Sequence, residues 1–368
     1  MDSSWMMIIT LLIMLPVIVI TTIIPYLTRR IESFGVTIPE VAQRDPHIVV
    51  LKKQYLIFNS ILGVVVIISL SLITWFVQSE TAWAVWLTVH LFGYMILSFV
   101  IYLKQHRAVK QYKLEQQWST EHAQRIVIDT TFRKRNITIS YYWFIPHIVI
   151  VVITALVGVL NYAQFPDIIP MKYSMNGEVI NSAIKSYSTV LWPVMTQCVL
   201  LVLFIFVHYT FSRSKQLVES SDPENSLQRN IIFRRRWSIF MMMSSFLLVA
   251  LFLFIEFSLF YSWTGNEQTI APLVVIAFIL IGAIILSITT GQGGSRIKLN
   301  NGVPATTLTT ADHDQHWKMG VFYFNREDPA IFVEKRFGVG MTMNCARPLG
   351  WLILLGIIAL PLLIMLFI

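Results

Sequence analysis

The sequence predicts an all-α polytopic membrane protein of about eight transmembrane helices, both termini outside, with a small β-containing cytoplasmic segment before the last helix. Three observations carry this expectation. Of 368 residues 55% are hydrophobic and only 13% charged, whereas soluble domains carry about 25% charged residues. Apolar stretches near the ~20 residues that span a bilayer occupy about 5–26, 55–77, 83–103, 143–162, 190–211, 237–261, 270–290 and 351–368. The basic residues alternate strictly between the loops that separate these stretches.

Loops 27–54, 104–142, 212–236 and 291–350 hold 26 of the 28 Lys and Arg, and the positive-inside rule makes them cytoplasmic. The remaining two, Lys172 and Lys185, lie in loop 163–189. The termini and loops 78–82, 163–189 and 262–269 are then outside. The formal charge of +8 is therefore a topology signal, and no direct nucleic-acid contact is expected. Segment one reads as an uncleaved span: only Asp2 is charged ahead of it, its apolar run is long, and Arg29-Arg30 follow. Cys198 falls within a span and Cys345 in a cytoplasmic loop, so no disulfide is expected. The chain divides into a seven-helix membrane region (1–290), a cytoplasmic domain (291–350) and a last transmembrane helix (351–368).

Taken in order, Pro16 kinks the first span, and Pro39 and Pro46 prevent the following loop from being one helix. The second and third spans are joined so tightly that they are antiparallel neighbours. Trp75, Trp83 and Trp86 form an aromatic belt there. Lys104, Arg107, Lys110 and Lys113 recur at helical spacing, and attraction to anionic inner-leaflet lipid accounts for them better than an acidic partner does. The fifth span carries Pro193, Gln197 and His208, the sixth is apolar except for Glu256, and the seventh begins with Pro272 and ends in the hinge Gly291–Ser295.

Loop 163–189 is the stretch around which the rest is organised. Pro166 and Pro170 fix the backbone twice, and Asn176-Gly177 supplies the positive φ of a hairpin turn. Pro166-Asp167-x-Ile169-Pro170, then Asn176-Gly177-Glu178 and Lys185, resembles the extracytoplasmic domain of unknown function in bacterial SdpI-type immunity proteins. In that family the second proline is followed by Thr-His and an aromatic residue. Here the positions hold Met171, Lys172 and Tyr173, so no metal or acid–base role is carried over.

The segment 320–336 reads as strand 320–325, turn 326–329 and strand 330–336. Trp317-Lys318-x-Gly320, Tyr323-x-Asn325, Asp328-Pro329 and Phe332–Gly338 resemble a second domain of unknown function, at 312–349, that follows the first in Firmicute membrane proteins. Phe34-Gly35-Val36-x-Ile38-Pro39 also resembles longer family members. Phe337-Gly338-Val339 echoes it, in a three-residue match that chance supplies.

Catalytic motifs are not evident. Asp312-His313-Asp314-Gln315-His316 is spaced too tightly for one helical face and reads as a capped turn before Trp317 rather than as a metal site. His90, Gln197 and Glu256 lie at similar depth below the outer boundary, roughly 7–11 Å at 1.5 Å per residue, and thus form one polar layer beneath loop 163–189. Ionisable groups there face a bundle interior or an aqueous cavity. Interhelical hydrogen bonding, with Glu256 partly snorkelling, is the plainer reading; an outward pocket is the functional one. His147, His208 and Asn59 read as interfacial.

The resemblance implies a multi-pass plasma-membrane protein that confers immunity to, or senses, a membrane-active peptide, with signalling to a cytoplasmic regulator. A transporter using the polar layer is the principal alternative and a membrane enzyme the second; no cofactor, metal or catalytic residue is expected. Candidate ligand-binding residues are Pro166, Asp167, Pro170, Lys172, Tyr173, Asn176, Gly177, His90, Gln197 and Glu256. Ile168, Ile169, Met171 and Tyr173 would give loop 163–189 mainly apolar contacts. Trp317, Tyr323, Asn325, Lys335 and Arg336 are the candidate surface for a cytoplasmic partner, with Arg347 exposed beside them; the plainer reading is that the segment folds back beneath the bundle.

Overall fold

The computed structural model describes residues 3–77, 79–118, 137–174, 177–215, 223–261, 263, 265–299 and 314–367. Its helices are α1 (Ser3–Ile23), α2 (Pro46–Phe76), α3 (Glu80–Glu115), α4 (Ile145–Leu160), the single turn α5 (Tyr187–Val190), α6 (Trp192–Arg213), α7 (Pro223–Phe260), α8 (Gly265–Thr290) and α9 (Pro348–Phe367). Among the described residues, seven helices are long and apolar enough to cross a membrane. The 20-residue α9 occupies the last apolar stretch.

Local chemistry sets the helix starts. Asp45 caps α2 by accepting from the His47 amide at 2.8 Å, with Pro46 at the first helical position. Pro146 and Pro193 open α4 and α6 where their missing N–H groups cost nothing. Ser186 and Thr189 form a reciprocal capping box on α5. Ile61, Val64, Val65, Ile68 and Leu72 form an exposed apolar face on α2. An apolar surface of this extent suits lipid and not water.

The helices pack in two groups. α1, α2 and α3 enclose Met14, Leu70 and Tyr94, while α7 packs against α4 and α6. α8 joins the groups by touching both α1 and α7, and α9 lies along α6. At one end of the bundle, β3 (Ile168–Tyr173) and β4 (Val179–Ile184) form an antiparallel hairpin. Pro170 lies opposite Ser182, and the register slips beside it, as expected where a proline removes a ladder donor. Asn176 lies outside the described residues; Gly177 has φ +80°, so the turn uses the glycine freedom the sequence predicts.

At the opposite end are three short hairpins: β1 (Glu32–Ser33) with β2 (Val36–Thr37), β5 (Trp317–Lys318) with β6 (Phe322–Tyr323), and β7 (Phe332–Glu334) with β8 (Met341–Met343). The sequence expectation of strand 320–325 turning directly into strand 330–336 is corrected here. Met319 and Gly320 take φ of +53° and +70° and turn the chain earlier, while Gly338 and Gly340 turn it later. The stretch between is an Asx turn in which Asn325 accepts from the Glu327 and Asp328 amides.

The two Phe-Gly motifs meet in space. Phe34 and Phe337 stack at 5.7 Å, and Phe337 lies 4.4 Å from the Tyr102 ring. Tyr102 Oη donates to the Met319 carbonyl at 2.8 Å and lies 3.2 Å from that of Phe34. His106 Nδ1 is 2.8 Å from the Phe34 carbonyl. A carbonyl only accepts, so Nδ1 carries the proton. A Cβ on Gly35 would meet the Gly320 carbonyl and come within 2.7 Å of Tyr102 Oη. Two glycine turns are therefore seated on one α3 platform.

A buried charge network ties this end together. Glu334 Oε2 pairs with Arg29, and its Oε1 accepts from Arg234 at 2.9 Å and Asn230 at 3.0 Å. Arg336 pairs with Asp314 and donates to Thr37 Oγ1 at 2.9 Å, with its guanidinium over the Trp317 ring. Asp314 also accepts from Lys113 at 2.8 Å and from the Thr37 amide at 3.1 Å. Burial pushes the Asp314 carboxyl up, but Arg336 and Lys113 outweigh that and hold it well below the usual carboxylate range. Gln292 clips the last segment by donating to the Lys335 and Gly340 carbonyls and accepting from the Gly340 amide at 2.7 Å.

Candidate functional site

The hairpin end presents two unlike faces of one short loop. Phe165 and Ile169 turn inward and pack with Val190 and Leu259, supported by Tyr162, Met171, Ile255 and Phe260. Ile169 is thus core, not contact surface as the sequence suggests. Ile168 and Ile184, directly paired across the strands, are 65% and 83% exposed, and Val179 and Ile180 continue the apolar surface. Lys185 fastens the base: its ammonium donates to the Phe165 carbonyl at 2.8 Å, pairs with Asp167 at 2.9 Å and lies over the Tyr162 ring. Asp167 and Lys172 are exposed, Pro166, Pro170 and Gly177 half-buried. Tyr173 is half-buried beside Gln268, and burial raises its phenol above the ordinary value.

Directly beneath this inner face lies Glu256, fully buried near the end of α7. A Cβ on Gly158 would fall 2.7 Å from Glu256 Oε1, 2.8 Å from Leu191 and 3.4 Å from Val190. The glycine leaves room for the carboxyl between α4, α6 and α7. One turn deeper, Gln197 Nε2 donates to Thr154 Oγ1 and to the Val249 carbonyl, both at 2.9 Å. The sequence expectation that Glu256 snorkels is corrected, because its side chain has no water-exposed surface.

His90 does not join these residues. It stands on α3, which packs with α1 and α2, and its Nδ1 is 2.8 Å from the Trp86 carbonyl of its own helix. Equal depth placed it in the layer, but depth says nothing about which helices are neighbours. His147, His208 and Asn59 are buried inside the protein. His147 bonds Ser245 at 2.8 Å, His208 the Ile139 carbonyl at 3.0 Å, and Asn59 accepts from Ser98.

The expected partner surface at the other end is also corrected. Trp317, Tyr323 and Arg336 are buried in internal contacts. Tyr323 donates to Asp328 at 2.8 Å; burial and this carboxylate push its phenol up to about 12. Asn325 is half-buried and bonded to Asn344 in both directions. Arg347 donates to the Asp328 carbonyl at 2.9 Å, while Lys335 remains exposed. Asp312 and His313 lie outside the described residues, and Asp314 belongs to the ion network. Among the described residues no group of three or more His, Cys, Asp and Glu is placed to hold a metal. Sequence reasoning missed Arg29, in the loop after α1, Arg234, inside α7, and Glu334, at the end of β7, because each reads locally as one more charge of a basic loop.

Comparison with known families places a domain of unknown function (DUF1648) on residues 149–196 and a family of unknown function (DUF5808) on residues 326–351. The first spans most of α4, the hairpin and the start of α6; the second spans the β7–β8 hairpin and the start of α9. No curated protein and no solved structure matches the chain.

Proposed function

We propose that this chain is an SdpI-like plasma-membrane protein that receives a membrane-active peptide on its extracellular hairpin and thereby confers immunity or reports the peptide to the cell. Support comes from the domain match, because DUF1648 is an extracellular domain in SdpI-like proteins. The observation that carries the reading is the exposed Ile168–Ile184 pair on a hairpin whose inner face is anchored. An anchored hairpin exposing isoleucines across a strand pair offers an amphipathic peptide an apolar contact of fixed geometry. Such binding depends only weakly on salt. A transporter reading would place the solute beside Glu256 and Gln197, the buried polar pair of the α4–α6–α7 group.

The test is survival of bacteria expressing the chain under challenge with a panel of membrane-active peptides. Wild type is expected to protect against at least one peptide, and Ile168→Lys with Ile184→Lys to abolish protection at unchanged membrane abundance. Equal protection by both proteins, or by neither against any peptide, overturns the reading.

A further inference from the structure

We propose that Glu256 and Gln197 form a binding site for a primary ammonium group reached from the hairpin end. Among the described residues both carboxylate oxygens of Glu256 and Oε1 of Gln197 are buried without a hydrogen-bond partner. The orientation of the Gln197 amide is fixed by its contacts. The Val249 carbonyl can only accept, so the atom facing it must be the NH2. Thr154 Oγ1 donates onward to the Ile150 carbonyl at 2.9 Å and so takes its bond from Gln197 as acceptor. The lone pairs of Oε1 are therefore left for another group.

The inventory sets the sign of that group. Glu256 Oε1 and Oε2 and Gln197 Oε1 are unpartnered buried oxygens of the α4–α6–α7 group, two of them on a carboxyl side chain, against the unpartnered indole donor Trp192 Nε1 of the same group and the amide Gln268 Nε2 on α8. Burying such acceptors unmatched is costly, and in membrane segments ionisable groups mark ligand paths. A primary ammonium brings three donors and no acceptor. Thr154, which holds Gln197, and Gly158, which adjoins Glu256, are one turn apart on one face of α4, about 6 Å along the axis. Val190 and Leu191 line the Gly158 side, which suits an aliphatic chain behind the ammonium. Val190 packs with Phe165 and Ile169 of loop 163–189, so entry couples the site to the hairpin.

The inference rests on the proposed reading only in sharing its end of the bundle, and it names the group a peptide would present: a lysine side chain or an amino terminus. The test uses the purified full chain in lipid nanodiscs, labelled with dicyclohexylcarbodiimide and analysed by mass spectrometry at Glu256. Hexylammonium is expected to slow labelling saturably by about tenfold or more, the scale of one hydrogen bond to a charged group. Hexyltrimethylammonium, with the same charge and no N–H, should not. Gln197→Met, which keeps the length and removes the acceptor, should lower the protection. Equal protection by the quaternary amine or by sodium ion overturns the proposal, as does absence of labelling or of protection in the wild type. If Gln197→Met does not fold, the two amines on the wild-type chain still decide. Peptide protection of cells can fail while amine protection persists, so the two readings fail separately.

Discussion

Removing Glu334 tests how the buried network holds the segment between α8 and α9. Its carboxylate has no exposed surface and meets two guanidiniums, Arg29 and Arg234, together with the Asn230 amide. Glu334→Ala leaves both buried cations without their shared anion. Breaking a buried pair from one side costs about 3–5 kcal/mol. The β7–β8 ladder and the Gln292 clip lie next to the deletion, so the cost falls on local opening of this segment. At ~1.4 kcal/mol per tenfold, amide hydrogen exchange across Val333 and Met341–Met343 should accelerate by roughly two to three and a half orders of magnitude. The triple substitution Glu334→Leu, Arg29→Met and Arg234→Met removes the stranded charges too, and should recover most of the protection. Unchanged exchange in Glu334→Ala, or a triple variant that exchanges faster than the single one, would refute the assignment of the network as the fastening.

Three further outcomes follow from the same end of the molecule. Asp314 has its folded-state value depressed, so the stability it adds is present above the usual carboxylate range and is lost as pH falls through that range and beyond; exchange of residues 314–318 should stay slow at neutral pH and rise below about pH 4. Phe337→Ala removes the ring held between Phe34 and Tyr102 and should cost toward the low end of ~3–5 kcal/mol because the ring is half-buried, read as a lower thermal midpoint. Gly35→Ala puts a methyl against Gly320 and Tyr102 at φ +75° and should destabilise by more than about 1 kcal/mol, whereas the same change at Gly93, with open space around it, should not.

The helices and the β3–β4 hairpin were legible because their signals are local. Apolar length, Pro at helix starts and Asn-Gly between two extended runs each act within a few residues. The buried network was not legible, because Arg29 and Glu334 are three hundred residues apart in the chain and each reads locally as a loop charge. Phe34 and Met319 hid two turns for a related reason: both adopt positive φ, which non-glycine residues do only when tertiary packing compels it. Glu256 and Gln197 were found by counting depth along their spans. The same count admitted His90, since it gives height in the bundle but not direction around the helix.

The most direct test of the account is labelling at Ile184 in living cells. With Cys198 and Cys345 replaced by Ser, Ile184→Cys should react with a membrane-impermeant maleimide in intact cells, since the hairpin is taken to be extracellular and this position is 83% exposed. A peptide against which the chain protects should then slow that reaction, while a cysteine at Lys110 should react only after permeabilisation. Reaction at Lys110 in intact cells, or a rate at Ile184 that the peptide leaves unchanged, would contradict an outward hairpin that receives the peptide.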